Sequence, residues 1–316
     1  MKFPLHVERF EELAGLTSEL HLAIGMFDGV HRGHQSVIES AVFSAQRSKG
    51  ISGVLTFDPH PSRLFRPENA TCLIMPIDSK LKILNSLGVN IVICKQFDRA
   101  FASISAEDFL PYLKEVLPTL KSVYVGENFQ FGKMRAGSVT TLIESGNQLG
   151  ISVFCAERIQ HDGEPISSTR IRKELEAGRI NMANDLLGYS YRSDGTVVSG
   201  KKLGREIGFP TLNIPWSPEC RPKYGVYHVC FSPSKQESWE FGVANYGIRP
   251  TVELEGQIPL LEVHALSKTN MGLGDAIKVE WLHFIRSEQK FESIELLKEQ
   301  ITKDCEFART LSNSYG

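Results

Sequence analysis

Ile24-Gly25-Met26-Phe27-Asp28-Gly29-Val30-His31-Arg32-Gly33-His34 carries the densest signal in the chain. An apolar run ends in a turn with three glycines, and an amphipathic segment begins just after His34. A strand, loop and helix joined in this way leave free backbone N–H groups and the positive end of the helix dipole at the loop, which attract phosphate. Gly25, Gly29 and Gly33 let the backbone approach a ligand with no Cβ in the way. Phe27 and Asp28 belong to the same phosphate-handling loop. His31 and His34 put two imidazoles at the helix start, where each can donate to a phosphoryl oxygen that gains charge during transfer. Two plainer readings stand beside this one. The histidines could be zinc ligands, although no third ligand at suitable spacing accompanies them, or ordinary surface residues.

Outward from this loop, short apolar runs alternate with helical patterns. Strands are predicted at Leu20 to Phe27, Ile51 to Phe57, Val89 to Cys94, Lys121 to Gly126 and Ile151 to Cys155. Helices are predicted at Gln35 to Arg47, Ser79 to Leu87, Ala106 to Val116, Ser138 to Gln148 and Thr169 to Glu176. That alternation implies an α/β fold, a Rossmann-like doubly wound parallel sheet with ligands at the carboxyl ends of its strands. Beyond it the pattern changes. Thr196 to Val198, Tyr224 to Phe231, Trp239 to Asn245, Leu260 to Leu266 and Ile277 to Phe284 read as strands punctuated by Gly and Pro, a small antiparallel β-barrel closed by a helix from Ser293 to Asp304. The period switches around Leu187 to Tyr191, which gives two domains, 1–186 and 187–316.

Composition agrees with two ordinary domains. The 316 residues are 41% hydrophobic and 23% charged, which excludes a disordered chain. Thirty-five Lys and Arg against 37 Asp and Glu leave a net charge of -2, so no nucleic-acid partner is expected. No apolar run approaches the length that spans a bilayer, and the charged N-terminal stretch lacks the apolar core of a signal peptide. The six cysteines have no close pair, which points to reduced, mostly buried thiols and a cytoplasmic protein.

A second signal is Ile166-Ser167-Ser168-Thr169-Arg170-Ile171-Arg172-Lys173. Ser168 or Thr169 reads as a helix N-cap, yet three cations crowd the first turn, where the dipole disfavours them. A bound triphosphate, clasped by hydroxyls and guanidinium, would resolve the conflict. The alternative is a solvated basic face with Glu174 nearby. Gly126-Glu127-Asn128-Phe129-Gln130-Phe131-Gly132-Lys133 follows another strand and offers an amide and aromatic faces for a flat ring. Thr56-Phe57-Asp58-Pro59-His60-Pro61 adds wall to the same crevice, or is a proline-rich turn and nothing more.

Taken in order, these motifs resemble the nucleotidyltransferase domain of the bacterial bifunctional riboflavin kinase/FAD synthetase family. H-x-G-H by itself marks only the wider superfamily, whereas T-F-D-P-H-P and N-F-Q-F-G narrow it to the flavin branch. The resemblance implies His31, His34 and Arg172 as catalytic residues. It also implies Ser167, Ser168 and Thr169 as ATP contacts, and Asn128, Phe129, Phe57 and Pro59 as flavin contacts. Aspartate is common in the family where Asn128 stands.

The second half has its own constellation. Gly200 to Asn213 is glycine-rich but is not a P-loop. Gly204, Gly208 and Pro210 precede Thr211 and Asn213, whose hard oxygens suit magnesium. Turn chemistry after Pro210 is the plainer reading. Glu262 sits within an apolar strand, where an unpaired carboxylate is costly to bury. A site at the barrel mouth, with Glu262 as a base, would explain it; so would a solvent-facing strand position.

G-x-x-x-G-F-P-T-x-N, G-V-A-N-x-G-x-R-P-T and L-E-V-H resemble the markers of the riboflavin kinase domain. The resemblance implies that Thr211 and Asn213 hold Mg2+ with ATP, that Glu262 is the base on the riboflavin 5′-hydroxyl, and that Asn245 touches flavin. It departs at Ala265 to Gly274, where the family carries an acid and aromatics. The implied activity is phosphorylation of riboflavin to FMN, then adenylylation of FMN to FAD with release of pyrophosphate. Mg2+ is expected at both sites, and ATP and flavins are the expected partners; oligomeric state stays open. Two alternatives remain, an adenylyltransferase with a weakened kinase barrel and a non-catalytic flavin-binding protein.

Overall fold

In the computed structural model the residues described are 5–200, 203–248 and 258–313. Lys201 and Lys202, and Arg249, Pro250 and Thr251, lie outside them. The chain forms two compact units, 1–168 and 169–316.

The first unit is built on a six-stranded sheet, parallel throughout. Its strands are β1 (Leu5–Val7), β2 (Leu20–Ile24), β3 (Ile51–Phe57), β4 (Ile91–Lys95), β5 (Leu120–Gly126) and β6 (Ser152–Ala156), in the order β1-β4-β3-β2-β5-β6. The chain steps outward from β2 through β3 to β4, then returns to place β5 on the other side of β2. That reversal is the topological switch point at which such sheets bind ligands. All five residues of β2 are buried, as expected of a strand covered on both faces. His21 is among them, and its ring is satisfied by the Ser122 hydroxyl at 2.6 Å and the Ser48 hydroxyl at 2.8 Å.

Helix α1 (Arg32–Ser48) lies on β2, β3 and β5 and buries Val37, Ile38, Ala41, Val42 and Ala45, the predicted stripe. It is followed by α2 (Pro61–Phe65), α3 (Ile77–Ser86), α4 (Arg99–Ala102), α5 (Ala106–Val116) and α6 (Val139–Leu149). The main core packs Phe109, Leu110, Leu113 and Leu142 of α5 and α6 on Leu22, Ile24, Val123 and Val125. The first predicted strand stops at Ile24 because Phe27 takes a left-handed φ of +48° and turns the chain out of the sheet. A short hairpin, β7 (Gln160–His161) and β8 (Glu164–Pro165), precedes helix α7 (Ser168–Ala177).

The second unit takes most of α7, together with α8 (Ile180–Leu187). The Leu175 carbonyl accepts from Lys223 N–H at 2.9 Å, and the Asn184 amide donates to the Trp281 carbonyl at 2.8 Å. These bonds tie both helices to the strands that follow, so compactness divides the chain earlier than the change of hydrophobic period does. Helical periodicity does not disclose which sheet a helix will cover.

After α8 come β9 (Tyr191–Thr196), helix α9 (Leu203–Glu206), β10 (Leu212–Pro215), β11 (Gly225–Pro233), β12 (Glu240–Gly247), β13 (Leu260–Ala265) and β14 (Ala276–Arg286). The antiparallel sheet has the order β10-β13-β12-β11-β14-β9 and curls until its edges meet at a bridge between Val198 and Asn213. Trp281, Tyr227 and Tyr246 are fully buried inside the curl. Its outer face is covered by α10 (Ile294–Ser312), where Val226 and Val243 pack on Cys305 and Ala308. Ser293 caps α10 as predicted, but the helix runs past Asp304 to Ser312, since Cys305 and Ala308 prolong the apolar stripe. Arg286 holds the buried Asp304 in a forked contact of 2.7 and 3.0 Å. Four cysteines are buried as expected; Cys72 and Cys155 are exposed, Cys155 because it lies on edge strand β6.

Candidate functional sites

In the first unit the predicted motifs gather at the carboxyl ends of β2, β3 and β5. The β2–α1 loop is tightly folded. A Cβ on Gly25 would stand 2.9 Å from the Phe27 ring, so glycine is required there. Gly29 has φ +80°, and Val30 is drawn to +34°. Strain at such positions persists only where surrounding structure fixes it. His31 is the N-cap of α1, and its Nδ1 accepts from the His34 N–H at 3.3 Å. That contact leaves the proton of the neutral ring on Nε2, free to donate. The two imidazoles stack at 3.6 Å, and the Phe27 ring meets His34 edge-on at 5.3 Å.

Burial holds His31 down to about 4. Burial also lowers His34, helped by His31 and Lys80. Both rings are therefore neutral donors at neutral pH. His34 Nδ1 is buried and has no hydrogen-bond partner among the described residues.

Asp28 is buried within the loop. Its carboxylate accepts from Ile74 N–H at 3.0 and 3.2 Å, while its carbonyl accepts from the Ser168 hydroxyl at 2.8 Å. Asp28 thus braces the loop. Ser168 is the first residue of α7 and Thr169 the second, so neither is the predicted N-cap; the Ser168 hydroxyl is a strut to Asp28. Ile171 and Leu175 fill the buried side of α7, and Ser168 and Arg172 share another side one turn apart. Ser167 is half-buried just ahead of them, and Thr169 is exposed.

At the end of β3, Thr56 donates to the Met26 carbonyl at 2.9 Å, Phe57 packs edge-on against Phe97, and the Asp58–Pro59 peptide is cis. At the end of β5, Asn128 is exposed and the Phe129 and Phe131 rings stack at 5.5 Å with 19° between planes. Sequence reading missed Lys80 of α3, which is buried and donates to the Met26 carbonyl at 2.9 Å and the Thr56 hydroxyl at 3.3 Å.

In the second unit, sheet register makes the site. Asn213 on β10 and Asn245 on β12 stand directly opposite Glu262 on β13, one from each side. Residues opposed in this way share a face. Leu261 and Val263 point into the core, so Glu262 and its neighbours face outward, on the side that α10 partly covers. Glu262 is half-buried there, which removes the cost of enclosure that pointed to the barrel mouth.

The Asn213 amide donates to the Thr211 carbonyl at 3.3 Å, and the backbone at Gly200 lies against the same amide. Gly204 passes so close to Phe209 that a Cβ would sit 2.5 Å from its carbonyl oxygen. Gly208, with φ +94°, lets the chain turn into Pro210. His264, not predicted as a site residue, contacts the Pro210 carbonyl through Nδ1 at 2.9 Å and so ties this segment to the strand of Glu262. The Asn245 amide reaches Glu288 at 3.4 Å. The divergent stretch after His264 is built rather than loose. Leu266 joins the cluster under α10, Met271 N–H donates to the Thr269 hydroxyl at 3.1 Å, and Gly272 N–H donates to Asp275 at 2.8 Å.

A metal suits this donor set. Thr211 and Asn213 offer neutral oxygens, and magnesium takes few protein ligands beside phosphate and water. No cluster of three His, Cys, Asp or Glu that could hold a metal occurs among the described residues.

The family model for FAD synthetase matches residues 15–170, and that for riboflavin kinase matches residues 187–312. The bifunctional riboflavin kinase/FMN adenylyltransferase of Haemophilus influenzae is 38% identical over 93% of this chain and 94% of its own. The enzyme of the same description from Escherichia coli is 36% identical over 90% of each chain. That from Bacillus subtilis is 36% identical over 90% of this chain and 89% of its own. A solved structure from Streptococcus pneumoniae, described as a macrolide-efflux protein, matches with a TM-score of 0.85 and 27% identity over 97% of this chain and 98% of its own. No helix among the described residues here is long and apolar enough to cross a membrane.

Proposed function

The chain belongs to the bifunctional riboflavin kinase/FMN adenylyltransferase family, and on that premise we propose how its residues divide the two reactions. It is an enzyme of flavin cofactor synthesis that converts riboflavin to FMN and FMN to FAD, using ATP.

In the kinase reaction, Glu262 removes the proton from the riboflavin 5′-hydroxyl as that oxygen attacks the γ-phosphorus of ATP, and ADP leaves. Asn245 orients the flavin. Thr211 and Asn213 would hold a divalent ion, Mg2+, with ATP, and Gly204, Gly208 and Pro210 shape the loop around them. When bound, such an ion would neutralise phosphate charge here and at the adenylyl-transfer site.

In the adenylylation, the FMN phosphate attacks the α-phosphorus of ATP and pyrophosphate leaves. No protein nucleophile is needed, because the phosphate is itself one. Catalysis rests on positioning and on charge. His31 donates from Nε2 to the phosphoryl oxygens, His34 stands behind it, and Arg172 with Ser167, Ser168 and Thr169 clasps the triphosphate. Gly25, Phe27, Gly29 and Gly33 shape the loop that receives it. Phe57, Pro59, Asn128 and Phe129 line the flavin side. A cytoplasmic location fits an enzyme that takes ATP.

The observation that carries this division is that the paired histidines and the Glu262 cluster fall in different compact units. His31 and His34 belong to the first; Asn213, Asn245 and Glu262 belong to the second. Incubation with riboflavin, ATP and Mg2+, followed by chromatography of the flavins, tests it. FMN is expected first and FAD after it. FAD without an FMN phase under limiting ATP, or no FMN at all, would count against two sequential sites.

A further inference from the structure

Lys80 is a buried cation that the two reactions as described do not use. It projects from α3 beneath the β2–α1 loop and is only 5% exposed. Enclosing an ammonium is costly unless its donors are satisfied and a counter-charge is near. Its Nζ donates to the Met26 carbonyl at 2.9 Å and to the Thr56 hydroxyl at 3.3 Å, and Thr56 in turn donates to the same carbonyl at 2.9 Å. Lys80, Thr56 and Met26 thus close a triangle at the base of the loop that carries Phe27, Asp28 and His31.

The carboxylates facing Lys80 are Asp28 from the loop and Asp58 from the end of β3, with the Cys94 thiol of β4, kept neutral by burial, beside them. The nearest consequence of Lys80 is at His34, whose proton affinity it lowers together with His31. An apolar residue would fill the same space at lower cost. Here α3 delivers a cation to a turn in which two non-glycine residues, Phe27 and Val30, are held at φ +48° and +34°.

We propose that Lys80 is a positioning residue for adenylyl transfer: it locks the Met26 turn through Thr56, and so fixes the histidines, and it puts positive charge under the phosphate-receiving loop. This rests on the reading of that loop as the site of FAD formation. The lysine itself does not touch substrate.

The test is made on the full-length chain with Lys80→Met and Lys80→Arg, and with His31→Ala in parallel. FMN formation from riboflavin serves as the in-chain control. Met should fold, since Thr56 still satisfies the Met26 carbonyl. With FMN as substrate, kcat for FAD formation should fall about 100-fold, the scale of a small misplacement of reacting groups, with KM for FMN nearly unchanged. The acid limb of the rate should also move to higher pH, because a like charge beside His34 has gone. Arg, which keeps the charge, should restore the pH profile and part of the rate.

Wild-type kcat and pH profile in Lys80→Met would overturn the proposal. So would a loss that vanishes when the rate is expressed per folded molecule, with the folded fraction taken from circular dichroism. If Lys80→Met does not fold, Lys80→Arg decides: an unchanged kcat there overturns the positional role. His31→Ala separates the two levels. If it still makes FAD, the reading of the loop fails; if it does not, while Lys80→Met does, only the role of Lys80 fails.

Discussion

The His34 backbone N–H donates to His31 Nδ1, and the two imidazole rings lie 3.6 Å apart with 17° between their planes. The cap of a helix is thereby also the orienter of a donor. Because Nδ1 is occupied as an acceptor, the His31 proton sits on Nε2, where a phosphoryl oxygen can receive it. Substituting His31 by Ala should lower FAD formation about 100- to 1000-fold, the usual cost of a preorganised donor to developing charge, and leave FMN formation at the wild-type rate. Equal loss of both products would refute separate sites.

The same burial sets an acid sensitivity. His31 is held down to about 4, below the ordinary 6.5. Between those values the unfolded chain binds a proton that the folded unit refuses. His31 therefore contributes stability that is complete above pH 6.5 and is lost as pH falls toward about 4. His228, buried under α10 and also held near 4, acts in the same direction in the second unit. Thermal denaturation from pH 7 to 4 should show falling midpoints, and His31→Asn should flatten the fall for the first unit. A midpoint independent of pH across this range would contradict the assignment.

How much of this was legible in the sequence depends on what each residue's neighbours reveal. Strand β2 and the loop after it were legible because five apolar or satisfied residues run into Gly25, and only glycine admits the Phe27 ring. Glu262 was legible as a site residue but not in its setting. Alternation puts Leu261 and Val263 inward and Glu262 outward, yet nothing local says that Asn213 and Asn245 will flank it. Lys80 was invisible, since a lysine in an amphipathic helix reads as a solvated charge until the loop it supports is seen. Strand β1 and the two-residue strands of the hairpin are too short to show a period.

Gly204 makes a sharper prediction than the other glycines of its loop. A methyl group there would stand 2.5 Å from the Phe209 carbonyl oxygen, which is backbone and cannot swing aside. Gly204→Ala should displace the segment from Phe209 to Asn213 and cut riboflavin phosphorylation about tenfold or more, with KM for ATP raised. FAD formation from added FMN should not change. Steady-state kinetics with each flavin separate these outcomes.

Asp304 is buried and held by Arg286 and by the Gln300 amide at 2.9 Å. Removing the guanidinium leaves a carboxylate enclosed without its counter-charge, a loss of about 3–5 kcal/mol. Arg286→Ala should lower the urea midpoint of the second unit and leave that of the first where it is. An unchanged midpoint would mean that α10 is held by its apolar contacts alone.

Glu262→Gln tests the central claim most directly, because it keeps size and hydrogen bonding while abolishing the base. The variant is fed riboflavin in one reaction and FMN in another, each with ATP and Mg2+, and the flavins are separated over time. FMN formation should fall by about 100- to 10,000-fold, while FAD forms from added FMN at the wild-type rate. FMN formation at the wild-type rate, or loss of FAD formation from FMN, would contradict the assignment of the two reactions to two separate constellations.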